Sequence, residues 1–493
     1  MKASLLKCAA VVAGVIFGAN GSFAADNVWT YYAKDAENNP TGGGLTNCIV
    51  QGNWVIAATY DASQPAKLTI GLPIEGSGAL NFWDMKIGDA AITDVGMSSL
   101  AYDSGCATGI TEFRMNHFTG AKIPRFGKTD ISDVLIEGSA TEISGYANTW
   151  GKITYGAFQS CTNLKSCVID CPIKTIGQQA FSGCTSLTGD LMKIVKPYTT
   201  SVGADAFLSA KLGGELILTN FQEKTIPRFT YLNISNVYIK GTSTAFQGVA
   251  WSVPGSFAKC TNLQVCVIDC PITMVGGQAF DGCKALTSDV MKIIRPYTAT
   301  FGEKTFADVP LTGDLVLTNV TSSSFSGYAF SGGQFSSVKL GGSATSLTVG
   351  EWGGTPYHNF SADVKNYELE FTNLTSVTRF VLRGVTNLTI CGSAENWTKG
   401  MIDVLIGNVA AVASSEEKGK ACTIYCSKKQ GWRTKFASKL EGKEADYAPI
   451  GHFGVYESET ATSGKVITSV GRKAWLVHKA MPGDPTGLCI RVQ

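Results

Sequence analysis

Charged residues and histidines are scarce in this sequence. Only 16% of its 493 residues are charged, 41 of them basic and 39 acidic, and like charges never form a long run. Proteins that bind nucleic acid or an anionic membrane concentrate basic side chains on one surface. The sequence therefore indicates neither a nucleic-acid partner nor binding to anionic lipid.

Motifs that carry catalysis or bind metal are also missing. The sequence contains no H-E-x-x-H, no G-x-S-x-G and no G-x-x-x-x-G-K-[ST]. Its C-x3-C pairs would place two thiols about 13 Å apart on a strand, too far for a disulfide or a shared zinc ion. We therefore predict no catalytic residue, no metal site and no cofactor. The pairs are Cys167 with Cys171, Cys266 with Cys270, and Cys422 with Cys426. Isolated histidines are more typical of surface or packed positions than of catalytic sites. The histidines are His117, His358, His452 and His478.

The apolar runs are short, and one of them has the layout of a leader. Lys2 and Lys7 precede an apolar stretch over 8–18, and the small residues Ser22 and Ala24 follow on either side of Phe23. This layout predicts a secretory signal peptide over 1–24, cleaved after Ala24. The stretch is too short for a membrane anchor, because a bilayer core is about 30 Å thick. No other segment has 18 consecutive apolar residues, so we expect a secreted or cell-surface mature chain without a transmembrane segment.

What the sequence does contain is a repeat. Residues 167–184 and 266–283 read CVIDCPIKTIGQQAFSGC and CVIDCPITMVGGQAFDGC, and 13 of their 18 positions are identical. A shorter period of 23 and 26 residues separates successive phenylalanines, as in Phe158, Phe181 and Phe207. Together with abundant glycine and β-branched residues, this pattern predicts a β-rich solenoid whose coils of 23–26 residues stack on one another. The phenylalanines are expected to share one interior column.

A motif inside the repeat resembles the BspA-like (Treponema pallidum type) leucine-rich repeat family. The pattern I-G-x-x-A-F-x-x-C-x-x-L occurs as TIGQQAFSGCTSL and, with valine first, as MVGGQAFDGCKAL, with looser copies at 155–164 and 201–212. The resemblance extends over about residues 85–410 and implies a leucine-rich repeat array with irregular β caps at both ends. The predicted domains are the signal peptide over 1–24, an N-terminal β cap over 25–84, the repeat solenoid over 85–414, and a C-terminal α+β cap with a short basic helix over 415–493.

Four cysteines occupy one position of this motif in different coils. In the family this is a ladder position, where a small side chain satisfies buried backbone groups of the turn. Fourteen cysteines would remain after removal of the leader, and export permits disulfides. Stacked coils would bring two such cysteines about 5 Å apart, so a structural ladder and disulfides both stay open. The residues are Cys161 with Cys184 and Cys260 with Cys283.

The strands predict a candidate binding face. Alternation along each strand points one set of residues into the coil and the next set outward. The outward set forms an apolar stripe with polar neighbours, which is typical of a protein-binding face. The alternative is that loops cover this face, or that it tolerates valine without binding anything. The candidate residues are Leu135, Val168, Asp170, Ile217, Tyr238, Lys240, Val267, Asp269, Val316 and Lys339.

The resemblance implies a function in recognition. Members of the family are associated with adhesion to host matrix proteins, other cells or bacteria, so we expect a non-enzymatic surface protein with a protein partner. A second hypothesis is a carbohydrate- or matrix-binding component of the envelope, with tryptophans stacking on glycans. A third is a secreted hydrolase whose active site lies in residues 415–493. The tryptophans considered are Trp54, Trp83, Trp150, Trp251 and Trp352.

Overall fold

The chain consists of two compact units. The computed structural model describes residues 110–149, 152–248 and 254–347 continuously, most of 359–391, and separate strands elsewhere. The first unit comprises Met1–Glu223 and Pro227–Gly241, and the second unit comprises Lys224–Ile226 and Thr242–Gln493. The predicted signal peptide and the predicted basic helix of the C-terminal cap lie outside the described residues.

The described secondary structure is β-strand apart from short 3₁₀ turns. The N-terminal strands are β1 Thr30–Tyr31, β2 Cys48–Gln51, β3 Trp54–Tyr60, β4 Lys67–Ile70, β5 Ile74–Glu75, β6 Gly78–Asn81, β7 Lys86–Ile87, β8 Ala90–Ala91 and β9 Asp94–Met97. There follow β10 Ile110–Phe118, β11 Lys122–Ile123, β12 Asp133–Gly138, β13 Glu142–Ile143, β14 Ala147–Thr149, β15 Lys152–Thr154, β16 Ser166–Asp170, β17 Thr175–Ile176, β18 Ser201–Val202 and β19 Gly213–Phe221. Next come β20 Thr225–Ile226, β21 Asn233–Gly241, β22 Ala245–Phe246, β23 Val265–Asp269, β24 Met274–Val275, β25 Thr300–Phe301, β26 Asp314–Leu317, β27 Ser337–Gly342 and β28 Ser346–Leu347. The last are β29 Glu351–Trp352, β30 Thr355–Pro356, β31 Asn366–Phe371, β32 Ser376–Val377, β33 Asn387–Cys391, β34 Cys422–Ser427, β35 Phe453–Tyr456, β36 Lys465–Ile467 and β37 Ala474–Lys479.

The long strands of the first unit pair in parallel. β6, β10, β12 and β16 lie side by side, and β19 pairs with β21. In β12, Val134 and Ile136 are buried, whereas Leu135 between them is only partly buried. Because successive side chains of a strand point to opposite faces, one face fills the interior of the coil and the other lies outside.

A second row of two-residue strands runs through the same coils. β11, β13, β17 and β18 pair in parallel in that order. The glycine of the I-G motif is needed where these coils meet, since a Cβ on Gly177 would lie 2.2 Å from the amide nitrogen of Gly145. The motif thus fixes how closely one coil can stack on the next.

The second unit repeats this arrangement. β26, β27, β31, β33, β34 and β37 form a parallel row, and β20, β22, β24 and β25 form the row of short strands. Burial again alternates: in β23, Cys266 and Ile268 are fully buried and Val267 is partly exposed. The same pattern of side chains therefore produces the same coil in both units.

Phenylalanines stack through the interior of each unit. The ring centroids of Phe158 and Phe181 are 4.8 Å apart, and those of Phe181 and Phe207 are 5.4 Å apart. In the second unit, Phe257 and Phe280 are 5.4 Å apart. All five rings are buried, so a column of stacked rings is confirmed within each unit. The parallel strands and these columns together confirm the predicted β-rich solenoid.

One coil in each unit differs from its neighbours at the position of the long strand. Leu191–Lys193 and Val290–Lys292 are 3₁₀ turns instead of strands. In the first turn, the side chain of Asp190 accepts a hydrogen bond from a backbone amide and caps the turn. The buried residues are Leu191, Ile194 and Val195, a spacing of three and four that matches a helical turn and not the alternation of a strand.

Strands toward both ends join the sheets of the repeats. β6 lies in the segment predicted as the N-terminal cap and pairs in parallel with β10. β34 and β37 lie in the segment predicted as the C-terminal cap, and β34 pairs in parallel with β33. β1–β5 form a mixed sheet with β9. The domain boundaries at 84 and 414 remain predictions.

Candidate binding surfaces

The outward face of the first unit carries partly exposed apolar side chains. Leu135 and Val168 are register partners on β12 and β16, and Ile217 and Tyr238 are register partners on β19 and β21. The first three are partly buried, and 38% of Tyr238 is exposed. The turn Leu191–Lys193 contacts both β16 and β19 and so lies between the two pairs. We call Leu135, Val168, Ile217 and Tyr238 the first strand face.

The outward face of the second unit is shorter and more polar. Val267 on β23 and Val316 on β26 are partly buried, and Val316 is the register partner of Lys339 on β27. The next partner along the sheet is Glu368. We call Val267, Val316 and Lys339 the second strand face.

The acidic residues predicted beside these faces form ion pairs with the following coil. Lys196 Nζ lies 3.8 Å from Asp170 Oδ1, and Arg295 Nη2 lies 3.6 Å from Asp269 Oδ1. The aspartate side chains are 76% and 53% exposed. The carboxylates are therefore accessible to solvent, whereas the side chains of Lys196 and Arg295 are only 15% and 23% exposed.

The predicted lysines differ in their surroundings. Lys339 Nζ lies 2.7 Å from a carboxylate oxygen of Glu368 and 3.0 Å from one of Glu370. The hydrogen bond to Glu368 raises the pKa of Lys339 well above its usual value, although partial burial opposes this rise. Lys339 is therefore engaged within its own sheet. Lys240 is exposed near the end of β21.

The ladder cysteines bind backbone carbonyls of the preceding coil. In the described part of the chain the cysteines are thiols, without a disulfide. Three of the four ladder thiols donate to a phenylalanine carbonyl, and the fourth, Cys260, is equally buried. We propose a structural ladder for all four. The bonded pairs are Cys161 with Phe126 at 3.0 Å, Cys184 with Phe158 at 3.0 Å and Cys283 with Phe257 at 3.1 Å.

Burial makes these thiols resist ionisation. It raises the pKa of Cys161 to about 11, although hydrogen bonds from Thr129 oppose the rise. Burial also raises the pKa values of Cys184 and Cys283 well above their usual range. Because the thiolate is the reactive form of cysteine, these residues are suited to packing and not to nucleophilic chemistry.

Two exposed tyrosines were not predicted from the sequence. Tyr198 and Tyr297 are 46% and 43% exposed. Each belongs to a [KR]-P-Y-T segment, at 196–199 and 295–298, and the two segments are offset by 99 residues. We call these segments the tyrosine loops. A duplicated aromatic residue outside the apolar register was the signal that could have identified them.

Some predictions fall on residues whose side chains the structure does not describe. All five tryptophans proposed for glycan stacking are among them, as are His358, His452 and His478. In the described part of the chain, no group of three or more His, Cys, Asp and Glu is placed to hold a metal ion. Within the same part, no helix has the length and hydrophobicity needed to cross a membrane.

Comparison with known families identifies the repeat. Residues 151–287 and 253–360 match the family described as BspA type leucine-rich repeat region, in six copies. Residues 151–360 therefore carry leucine-rich repeats of the BspA type. This confirms the resemblance read from the I-G-x-x-A-F motif. The BspA-type repeats make this region a repeat scaffold, of a kind that generally mediates protein interaction and is typically non-enzymatic.

Comparisons with solved structures and with curated proteins do not extend this result. A crystal structure of a leucine-rich repeat protein from Bacteroides ovatus ATCC 8483 is similar over 68% of this chain and 83% of that chain, at 14% identity. Its TM-score of 0.32 is too low to support a further conclusion. A search of curated proteins found no significant match.

Proposed function

We propose that this chain is a secreted or cell-surface recognition protein that binds a protein partner through its strand faces, with adhesion as its use. The observation that carries the proposal is the first strand face. Four apolar side chains stand there in two register pairs, and one of them, Tyr238, is exposed. Tyrosine is enriched at binding hot spots, and the core of an interface contains few charges.

The surroundings of this face match the rim of an interface. Asp170, whose side chain is 76% exposed, forms an ion pair with Lys196 at the end of β16, and Lys240 is exposed two residues after Tyr238. Polar side chains around an apolar centre orient a partner and contribute to specificity more than to affinity. A partner protein would therefore bury the apolar side chains and leave the charged ones at the edge.

Binding to immobilised host matrix proteins tests the proposal. We expect Tyr238→Lys and Ile217→Lys to weaken binding at least tenfold in surface plasmon resonance, because each places a charge at the centre of the contact. Lysine is compatible with this strand position, since Lys339 occupies it in β27. Thr185→Lys is the control: this exposed residue lies outside the strand face, and the second copy has Lys284 there.

Two outcomes would favour a rival hypothesis over the proposal. One is binding to glycans alone, with no matrix protein retained, which would favour the envelope component. The other is hydrolysis of a peptide or glycan by the full chain that disappears on removal of residues 415–493, which would favour the hydrolase. Equal binding by the lysine variants would show that the strand face is not the contact.

Export has a separate test. If the leader is cleaved after Ala24, mass spectrometry of the protein from the producing cell's envelope or medium will give Ala25 as the first residue. A chain that keeps Met1 and remains inside the cell would contradict the surface location.

A further inference from the structure

Acidic side chains lie on neighbouring strands at both ends of the outward face formed by β10, β12 and β16. At the beginning of these strands, Glu112 on β10 is the register partner of Asp133 on β12. At their end, Glu137 on β12 is the register partner of Asp170 on β16. Adjacent strands are about 4.8 Å apart, so each pair places two negative charges close together. We call these four residues the acidic border.

The acidic border is only partly neutralised by basic side chains. Arg114 Nε lies 3.5 Å from Glu112 Oε2, and Lys196 Nζ lies 3.8 Å from Asp170 Oδ1. Glu137 has no ion-pair partner within the described residues. Like charges on adjacent strands repel each other. The border therefore does not stabilise the sheet, and its excess negative charge is available to a partner.

The next copy of this strand has a basic residue at the position of Glu137. The segments SDVLIEGS at 132–139 and SNVYIKGT at 235–242 align at an offset of 103 residues, which places Lys240 where Glu137 stands. Lys240 belongs to β21, which lies beside β23, the strand that ends with Asp269. The coil is thus compatible with a basic residue at this position, so packing does not require the neighbouring acids of the first copy.

The apolar residues between the two acidic pairs suit the stem of a basic side chain. Leu135 and Val168 are register partners, and each lies two residues before an acidic residue, Glu137 or Asp170. Residues two apart on a strand point to the same face. Arginine and lysine carry their charge at the end of an apolar stem. A stem lying on Leu135 and Val168 would bring its cation to the two carboxylates.

We propose that the protein partner of the first strand face is basic and that its arginine or lysine side chains contact the acidic border. This inference rests on the proposed function, because it names the chemistry of the partner that binds there. The whole chain has 41 basic and 39 acidic residues, so the attraction belongs to this face and not to the protein's net charge. A neutral partner would cover Glu137 without a counter-charge, and an acidic partner would be repelled.

Selection from a random peptide library displayed on phage tests this inference. The full chain is the immobilised target, and the library is selected in parallel on the variant Glu137→Gln with Asp170→Asn. We expect the parent to enrich peptides in which arginine and lysine are at least twice as frequent as in the library. As synthetic peptides, they should bind the double variant at least tenfold more weakly in surface plasmon resonance. Their binding to the parent should also weaken as salt is raised, since salt screens exposed charges.

Matched variants separate the acidic border from net charge. Asp130→Asn with Asp308→Asn also removes two negative charges, from exposed residues outside the strands, and should leave binding unchanged. Glu137→Lys should abolish binding of the basic peptides, and Lys240 in the next copy shows that the fold is compatible with it. Each variant should keep the circular dichroism spectrum of the parent.

The outcomes distinguish this inference from the proposed function. Enriched peptides that are not basic, but whose binding is lost in Tyr238→Lys, would overturn the basic partner and leave the strand face as the contact. Basic peptides that bind the double variant as tightly as the parent would also overturn it. Enrichment of no peptide on the parent would count against it too, while the matrix-protein assay would still test the strand face.

Discussion

The thiol of Cys184 donates a hydrogen bond to the backbone carbonyl of Phe158, one coil earlier, over 3.0 Å. The same carbonyl also accepts from the amide of Cys161 at 3.1 Å. One oxygen thus closes the turn of its own coil and receives the side chain of the next. Since both groups are fully buried, no water replaces the thiol if it is removed.

Cys184→Ala should therefore destabilise the protein by about 1–2 kcal/mol, from the lost hydrogen bond and the small cavity. The natural coil with Ala210 at the ladder position shows that alanine is compatible with the fold. The shift of the urea unfolding midpoint measures the loss. As a control, Thr185→Ala changes the exposed neighbouring residue and should leave the midpoint unchanged. A Cys184→Ala midpoint equal to that of the parent would refute the ladder role.

Buried thiols also predict a loss of stability at alkaline pH. Burial raises the pKa values of Cys161 and Cys171 to about 11, from 9.0 in the unfolded chain. Between these values the unfolded state has lost a proton that the folded state keeps, so unfolding becomes easier as pH rises. Full stability is present below pH 9, and each thiol then removes roughly 1.4 kcal/mol per pH unit up to about pH 11.

Urea unfolding at half-unit steps from pH 8 to pH 11 measures this slope. Replacing Cys161 and Cys171 by alanine should make the slope shallower, because two titrating groups are removed. Iodoacetamide should leave both thiols of the parent unmodified in the native state at pH 8, where they are protonated and covered. An unchanged slope in the double variant, or rapid native-state alkylation, would show that the thiols are more exposed than this structure indicates.

The repeat predicts most of the fold because its period fixes which residues stack. Phe158 and Phe181 are 23 residues apart in the chain, and their rings lie 4.8 Å apart at an interplanar angle of 15°. Likewise, alternation along β12 and β16 is enough to place Leu135 and Val168 outward as register partners. These features follow from backbone geometry, which hydrophobic spacing reports directly.

The missed features depend on side chains that the period does not specify. The ion pair between Asp170 and Lys196 joins residues 26 positions apart, one coil length, but a period does not say which way a long side chain turns. The 3₁₀ turn at Leu191–Lys193 lies in the five-residue segment LMKIV, whose sequence is also compatible with a strand. The helical spacing of its buried residues distinguishes the two only once burial is known. The sequence also does not predict the exposure of Tyr198, since tyrosine occurs both in protein interiors and on protein surfaces.

The central ring of the first column gives a prediction about packing. Phe181 is fully buried between Phe158 and Phe207, at centroid distances of 4.8 and 5.4 Å. Phe181→Ala should reduce the free energy of unfolding by about 3–5 kcal/mol, and Phe181→Leu by about 1 kcal/mol, since leucine fills most of the volume. Phe280 has equivalent neighbours in the second unit, so Phe280→Leu should cost a similar amount. A loss below about 1 kcal/mol for Phe181→Ala would mean that the column is not close-packed.

The last prediction concerns backbone conformation. The second residue after Phe158 and the second residue after Phe181 both have a left-handed backbone conformation. Ser160, two residues after Phe158, has φ of 60°, and Gly183, two residues after Phe181, has φ of 82°. A Cβ at Gly183 would lie 3.3 Å from the Cα of Ser160 in the preceding coil. This contact is slightly tight, so Gly183→Ala tests the φ angle together with a small steric effect. It should destabilise by about 1–2 kcal/mol. Ser160→Gly relieves the same strain and should stabilise by up to about 1 kcal/mol, less the entropy that glycine loses on folding. Urea unfolding of the two variants beside the parent should therefore shift the midpoint in opposite directions, and shifts of the same sign would contradict the left-handed turn.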